Sequence, residues 1–240
     1  MSASRDWDAV TYDRVSDVQL GWALEQLERL PLRGDEVVVD AGCGSGRVTA
    51  ELVRRLPRGR VYGVDVSSAM TEHAREALGG RATILCQDLM KLQLPEPVDA
   101  VFSNATFHWI RDHDALFAAL FAALKPGARL VAQCGGRGNI DAFRRVAETV
   151  TGEPPFAAYF ADWPAPWNYA GDGETAARLD RQVRLAQDRD VAPGGPLGDP
   201  EPVAEPLRGD ARRVLDGLER QQRPRGGAQV VGQGPPPSRS

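Results

Sequence analysis

The stretch VVVDAGCGSGR, residues 37–47, constrains the fold more than any other segment. Three β-branched residues running into an acid suggest a buried strand that ends at Asp40. Residues 47–56 carry apolar side chains at helical spacing, namely Val48, Leu52, Val53 and Leu56. Between strand and helix stand Gly42, Gly44 and Gly46, which let the backbone turn tightly and approach a ligand with no Cβ in the way. A strand, a glycine loop and a helix form the first half of a βαβ unit. In such units ligands bind in the crevice outside the carboxyl ends of the strands.

The alternation continues along the chain. Further strands are expected at 60–65, 82–87, 98–103 and 128–134, after a first one at 36–40. Helices are expected at 47–56, 68–78, 114–124 and 140–150, with Asp112 as an N-cap and Lys125-Pro126-Gly127 as a helix stop. A leading amphipathic helix is expected in DVQLGWALEQLERL, with Val18, Leu20, Trp22, Leu24, Leu27 and Leu30 on its apolar side and Pro31 closing it. This order implies an α/β fold, a doubly wound and mostly parallel sheet with helices on both faces. The 240 residues suffice for one such domain with some excess. The expected organisation is a cover and leading helix over 1–34, a ligand-binding domain over 35–180, and a tail over 181–240.

Charge and cysteine usage narrow the function classes. A net charge of −4 offers no global attraction for nucleic acid. No apolar run reaches the length of a membrane span, and the opening MSASRDWDAV is too polar for a signal peptide. Cys43, Cys86 and Cys134 are scattered, which fits reduced thiols and a cytoplasmic location. HWIRDHD sets His108 and His113 beside Asp112 and Asp114 but lacks the i, i+4 histidine pair of a zinc helix, so no metal is expected. His113 is read as an exposed residue at a helix start, and His73 as a surface residue.

The glycine spacing bears on the cofactor. A dinucleotide fingerprint G-x-G-x-x-G would place its third glycine at position 47, where Arg47 stands. The spacing present is Gly42-x-Gly44-x-Gly46. Asp65, at the end of VYGVD and about twenty residues past the loop, suits a carboxylate that accepts from ribose hydroxyls, a group NAD and S-adenosylmethionine (SAM) share. Asp88, after the third strand, can meet an adenine amino group. The ordered set of acids and glycines favours SAM.

At these residues the chain resembles the class I SAM-dependent methyltransferases, and most of all the trans-aconitate and malonyl-carrier-protein methyltransferase group. VVDAGCGSGR, VYGVDVSSAM, QDL, VDAVFSNATFHWI and LKPGARLVAQCGG match the family's successive motifs, over about Trp7 to Leu179. The resemblance implies a Rossmann-like methyltransferase sheet. It also implies that Asp40, Gly42 and Gly44 line the methionine moiety, with Gly46 shaping the turn. Asp65 would hold the ribose, Val66 and Ser67 would flank the adenine, and Asp88 would face its amino group with Leu89 alongside. Ser103 and Asn104 would lie near the sulfonium, while His108 and Trp109 would face a small-molecule methyl acceptor. Trp7, Tyr12, Gln19 and Trp22 resemble the family's N-terminal cover; Trp109 could equally serve as core.

The expected reaction is methyl transfer from SAM to a small molecule at oxygen. A carboxylate acceptor is ionised at neutral pH and needs no general base. For a hydroxyl or amine acceptor, His108 is the candidate base. Arg111 or Arg137 could supply counter-charge to an anionic acceptor. The rival readings are a SAM-binding protein without catalysis and a nicotinamide-dependent oxidoreductase, which Arg47 disfavours.

Two segments stand apart. Residues 153–169 pack Phe156, Tyr159, Phe160, Trp163, Trp167 and Tyr169 between prolines, as a cap over an acceptor pocket or as packing on the sheet edge. In the cap reading Trp163 and Trp167 contact the acceptor. After Tyr169 there is no aromatic residue, and the last sixty residues hold half of the 18 prolines. The family resemblance implies a helix beginning at ETAARLD and then an antiparallel strand pair. Nothing after residue 180 reads as that pair, so 181–240 is expected to be a degenerate, out-of-frame terminus or a disordered tail. The fifth strand would then end the sheet as an exposed edge.

Overall fold

A computed structural model describes residue 8, residue 13, residues 16–163 and residues 165–190. Five strands form one sheet in the order β3-β2-β1-β4-β5. They are β1 (Val37–Ala41), β2 (Arg60–Asp65), β3 (Thr83–Cys86), β4 (Val98–Asn104) and β5 (Leu124–Gln133). Every pairing is parallel. The order reverses at β1, which neighbours both β2 and β4, and this marks the crevice where open sheets bind ligands.

The helices are α1 (Asp17–Leu27), α2 (Arg47–Arg55), α3 (Ser68–Leu78), α4 (His113–Ala123), α5 (Asp141–Thr151), α6 (Ala157–Phe160) and α7 (Asp172–Asp190). β1 is buried along its whole length, as a central parallel strand covered on both faces must be. Its alternation divides the core. Val37, Val39 and Ala41 join Leu116, Phe117 and Leu120 of α4 and Leu179 of α7. Val38 points the other way, toward Ala23 and Leu27 of α1 and Leu52 of α2. Each fully buried aliphatic side chain contributes about 1.5–3 kcal/mol, so both helical layers are held chiefly by these faces.

The sequence pattern locates β2 and α3 well because their ends are chemically marked. Ser67 caps α3 by accepting from Met70 N–H at 3.2 Å, and Gly79 stops it in a left-handed conformation with φ 54°. Asp112 caps α4 as expected, accepting from Ala115 N–H at 2.9 Å.

Three expectations are corrected. β5 begins at Leu124, directly after α4, rather than beyond Gly127. Val98 pairs with Leu124 while Ala100 pairs with Arg129, so the strand absorbs Pro126 and Gly127 in an irregular excursion. In α1 the apolar residues divide between two faces. Ala23, Leu27 and, just past the helix end, Leu30 fall on one stripe at 3.6 residues per turn and are buried. Val18 and Trp22 lie on another face and are exposed. His113 is buried, at 4% exposure, rather than lying on the surface. It is the first residue of α4, and with Asp112 turned to cap the helix the imidazole points inward to Phe107 and Phe117.

The helix opened by ETAARLD runs on to Asp190, past the boundary expected at residue 180. Residues 191–240, with most of the expected tail, lie outside the described residues. Among the described residues β5 has β4 as its one strand neighbour.

Candidate active site

The glycine loop links β1 to α2 at the switch point. Gly42, Gly44 and Gly46 have φ of 84°, 51° and 89°, a region that side-chain-bearing residues rarely enter. Each also has a spatial or bonding reason. A Cβ on Gly42 would fall on the side chain of Thr106, which follows β4. One on Gly46 would press on Ala74 of α3 at 3.0 Å. Gly44 donates its N–H to Asp65 Oδ2 at 3.0 Å. Gly42 and Cys43 both donate to the carbonyl of Val64, which fastens the loop to the end of β2.

Asp65 sits where β2 ends, and its other oxygen accepts from Ser67 N–H at 2.9 Å. Burial raises its pKa while these backbone donors pull it down. Each carboxylate oxygen retains acceptor capacity beyond one backbone bond, so a diol could be held there as well. Val66 follows with its side chain 53% exposed beside this carboxylate. Asp88 caps a short turn, Leu89–Lys91, by accepting from Met90 N–H. Leu89 is buried in the core, and the Ser67 hydroxyl accepts in the α3 cap while its N–H goes to Asp65.

Asp40 and Ser103, both expected at the cofactor, are buried. Asp40 is 1% exposed and accepts from Thr49 Oγ1 at 2.6 Å. Burial, reinforced by the charge of Asp65, raises its pKa to about 7 against the pull of the Thr49 bond. Ser103 donates its hydroxyl to the carbonyl of Ala41 at 2.6 Å. Both side chains support the loop and strand rather than the open crevice.

The N-terminal segment is fastened across the loop by two of the loop's own residues. Ser45 donates to Asp13 Oδ1 at 2.8 Å. Arg47 reaches Asp17 Oδ1 at 2.7 Å and also donates to the carbonyl of Asp13 and the hydroxyl of Ser16. Trp7 and Tyr12 lie outside the described residues. Gln19 reaches the site through its backbone, since its carbonyl accepts from Asn104 Nδ2 at 3.0 Å. Trp22 is exposed, and among the described residues no ring contact joins it to the aromatic cluster below.

That cluster stands beyond the ends of β4 and β5. His108 stacks on Tyr169, with centroids 5.2 Å apart and planes 8° from parallel, and tilts against Trp109. Trp167 packs between Trp109, Trp163 and Phe143. Asn168 N–H donates to the carbonyl of His108, tying the aromatic segment to this turn. Trp109 and Trp163 are 39% and 50% exposed.

The protonation of His108 follows from its contacts. Gly135 N–H donates to Nδ1 at 3.3 Å, so Nδ1 is the acceptor and the ring hydrogen sits on Nε2. Burial lowers its pKa to about 4, with the nearby His113 adding to the effect. His108 is therefore a neutral hydrogen-bond donor near pH 7.

Between the loop and this cluster lie three groups of note. Asn104 and Gln133 are register partners at the ends of β4 and β5. With Gln19, they hold buried side-chain carbonyl oxygens that lack a partner among the described residues. Sequence reasoning named Gln19 and Asn104 but missed Gln133, whose signal was an amide at a strand end opposite another amide. It also missed Thr49 and Thr106, the polar residues that fill space beneath and above the loop.

Comparison with known proteins places the chain in a family. The methyltransferase domain family matches residues 38–127, from β1 into β5. A trans-aconitate 2-methyltransferase from Paracidovorax citrulli is 36% identical over 78% of this chain and 67% of its own length. Another from Methylobacterium nodulans is 38% identical over 65% of this chain and 60% of its own. The chain thus spans about 60–67% of the length of these relatives. A methyltransferase structure solved with the Haloferax volcanii Trm112 methyltransferase activator superposes with a TM-score of 0.57, at 21% identity, over 75% of this chain and 77% of that one, which shows the shared fold.

The residues present fit SAM. Asp65 at the end of β2 keeps acceptor capacity for the ribose, the glycine loop is fastened beside it through Gly44, and Val66 offers an exposed apolar surface next to the carboxylate. The chain belongs to the class I SAM-dependent methyltransferases, among the relatives of the trans-aconitate 2-methyltransferases.

Proposed function

We propose that this chain transfers the methyl group of SAM to a carboxylate oxygen of a small molecule, with trans-aconitate as the first acceptor to test. When bound, SAM supplies an electrophilic methyl group, and transfer to a carboxylate oxygen yields an ester and a neutral thioether. Asp65 and the backbone surface of the glycine loop orient the cofactor, with Val66 and Asp88 beside the adenine. Gly42 lets the turn after β4 close over the loop. The chain contributes chiefly alignment and exclusion of water.

The observation that carries the carboxylate reading is the state of His108. Its Nδ1 is engaged by Gly135 and its pKa is about 4, so it is a poor proton acceptor for a hydroxyl or amine. Its Nε2–H suits an acceptor that is already anionic. The curated relatives named above are methyltransferases of a tricarboxylate, which supports the same class. Trp109, Trp163 and Trp167 form the apolar wall around that position, and Gln19 contributes from the leading helix.

The test is methyl transfer from methyl-labelled SAM to a panel of trans-aconitate, other small carboxylates, phenols and amines. Label should appear in a base-labile ester of a carboxylate. Transfer to amines alone would overturn the acceptor class. SAM binding with no transfer to any of them would favour a binding protein.

A further inference from the structure

His108 is gripped by two stretches of chain that are distant in sequence. From the end of β5, Gly135 N–H donates to its Nδ1 at 3.3 Å. From the aromatic segment, Asn168 N–H donates to its carbonyl at 2.8 Å, and the Tyr169 ring stacks on the imidazole. The two stretches are themselves joined. Arg137 N–H donates to the carbonyl of Ala170 at 3.1 Å, and the Arg137 guanidinium pairs with Glu174 in the first turn of α7 at 3.1 Å. The turn after β5 and the chain leading into α7 are thereby fixed to one another beside His108.

Gly135 is required here for a reason of space. Its backbone has no positive φ that would call for glycine. A Cβ at this position would stand 2.6 Å from Tyr169 Cε1 and 3.0 Å from both Tyr169 Cδ1 and Asn139 Nδ2. Carbon atoms pack best about 3.5–4.0 Å apart, so a side chain at 135 would drive the ring aside. A tyrosine ring is rigid and could yield only by leaving its alignment with the imidazole, which is 8° from parallel.

Which imidazole nitrogen carries the hydrogen is set by the bond the other one makes. The Gly135 bond selects Nε2–H, and the Tyr169 face sets the ring plane. Burial keeps the imidazole neutral, with a pKa of about 4. The titratable groups against it, His113, Cys134 and Tyr169, are neutral near pH 7 as well. Burial lowers the pKa of the first and raises those of the other two.

We infer, on the reading above that His108 faces the methyl acceptor, that Gly135 and Tyr169 are positioning residues. Together they hold the imidazole in one plane and one tautomer, with Nε2–H presented to the acceptor. Gly135 supplies the Nδ1 donor and the room for the ring, and Tyr169 supplies the face.

The experiment uses the full chain labelled with ¹⁵N at histidine. Long-range ¹H–¹⁵N spectra should show His108 as the Nε2–H tautomer near pH 7, titrating at about 4. Tyr169→Leu keeps an apolar side chain but no ring; it should mix the two tautomers and raise the titration of His108 by about one pH unit. Folded Gly135→Ala should do the same, while Tyr169→Phe should keep the native spectrum. For whichever acceptor the native chain methylates, Tyr169→Leu should raise KM about tenfold and leave the SAM Kd within about twofold. An unchanged His108 tautomer and titration in folded Tyr169→Leu would overturn the inference. So would a Tyr169→Phe spectrum like that of Tyr169→Leu, or a disturbed His108 with an unchanged acceptor KM. The spectra need no methyl transfer, so they decide the positioning by themselves; failure of the carboxylate reading shows instead as a native chain that methylates no carboxylate.

Discussion

Around the glycine loop the polar side chains are answered within the fold. Asp40 has Thr49, Asp65 has Gly44 and Ser67, Ser103 has Ala41, and Asp88 has Met90. Across β4 the pattern is different. Gln19, Asn104 and Gln133 hold buried oxygens without partners among the described residues, and tryptophans stand open around a neutral histidine. The first region is preorganised by bonds between residues near the ends of adjacent strands. The second is assembled from α1, the turn after β4, β5 and the aromatic segment, and it leaves its polar capacity for something outside the chain. The difference is what a shared cofactor and a variable acceptor would require of one fold.

The largest effect should come from breaking the closed region. Gly42→Val places a side chain on Thr106 at a φ of 84°, and the folded variant should lose SAM binding in calorimetry by more than 100-fold. Retained binding would show that the loop does not meet the ligand. Asp65→Ala should weaken SAM binding by about 2–3 kcal/mol, because ribose hydroxyls lose a charged acceptor. A folded Asp65→Ala protein with native affinity would remove the ribose assignment. On the open side, Trp167→Ala should raise KM for trans-aconitate about tenfold and leave the SAM Kd within about twofold. Equal loss of both would mean that Trp167 only packs.

Stability should show a pair of opposite pH dependences. Asp40, with a folded pKa of about 7 against an ordinary 3.8, gives stability that is complete below about pH 4 and lost as pH rises through 7. His108, with a folded pKa of about 4 against 6.5, gives stability that is complete above 6.5 and lost as pH falls through 4. Asp40→Asn should therefore flatten the decline of Tm toward pH 8, and His108→Gln the decline toward pH 4. Parallel pH profiles for the two variants would erase the distinction between the two regions.

The same contrast explains what could be read from the sequence. Gly42, Gly44, Gly46 and Asp65 are legible because each role depends on a local need: a positive φ, a close approach, a strand end. β2 and α3 are legible because Ser67 and Gly79 mark their ends. Pro126-Gly127 misleads, since a proline at a sheet edge can sit in a strand irregularity and need not end one. His113 misleads because its neighbour's capping bond, not its own chemistry, turns it inward. Trp22 was placed with the wrong face of α1, where a mixed pattern admits two stripes. The stack of His108 on Tyr169 joins residues 61 positions apart, and no local spacing announces it.

Arg47 links two properties that are usually discussed apart. It occupies the position where a dinucleotide fingerprint would need glycine, and its guanidinium grips Asp13, Ser16 and Asp17 of the N-terminal segment. A lineage or an engineer that changed this residue to glycine, to admit a pyrophosphate, would in the same step give up three of the bonds that hold the segment across the loop, leaving that of Ser45 to Asp13. Cofactor identity and most of the closure thus meet in one side chain. A path from this chain to a nicotinamide enzyme has to build a new fastening for α1 before it can alter the loop.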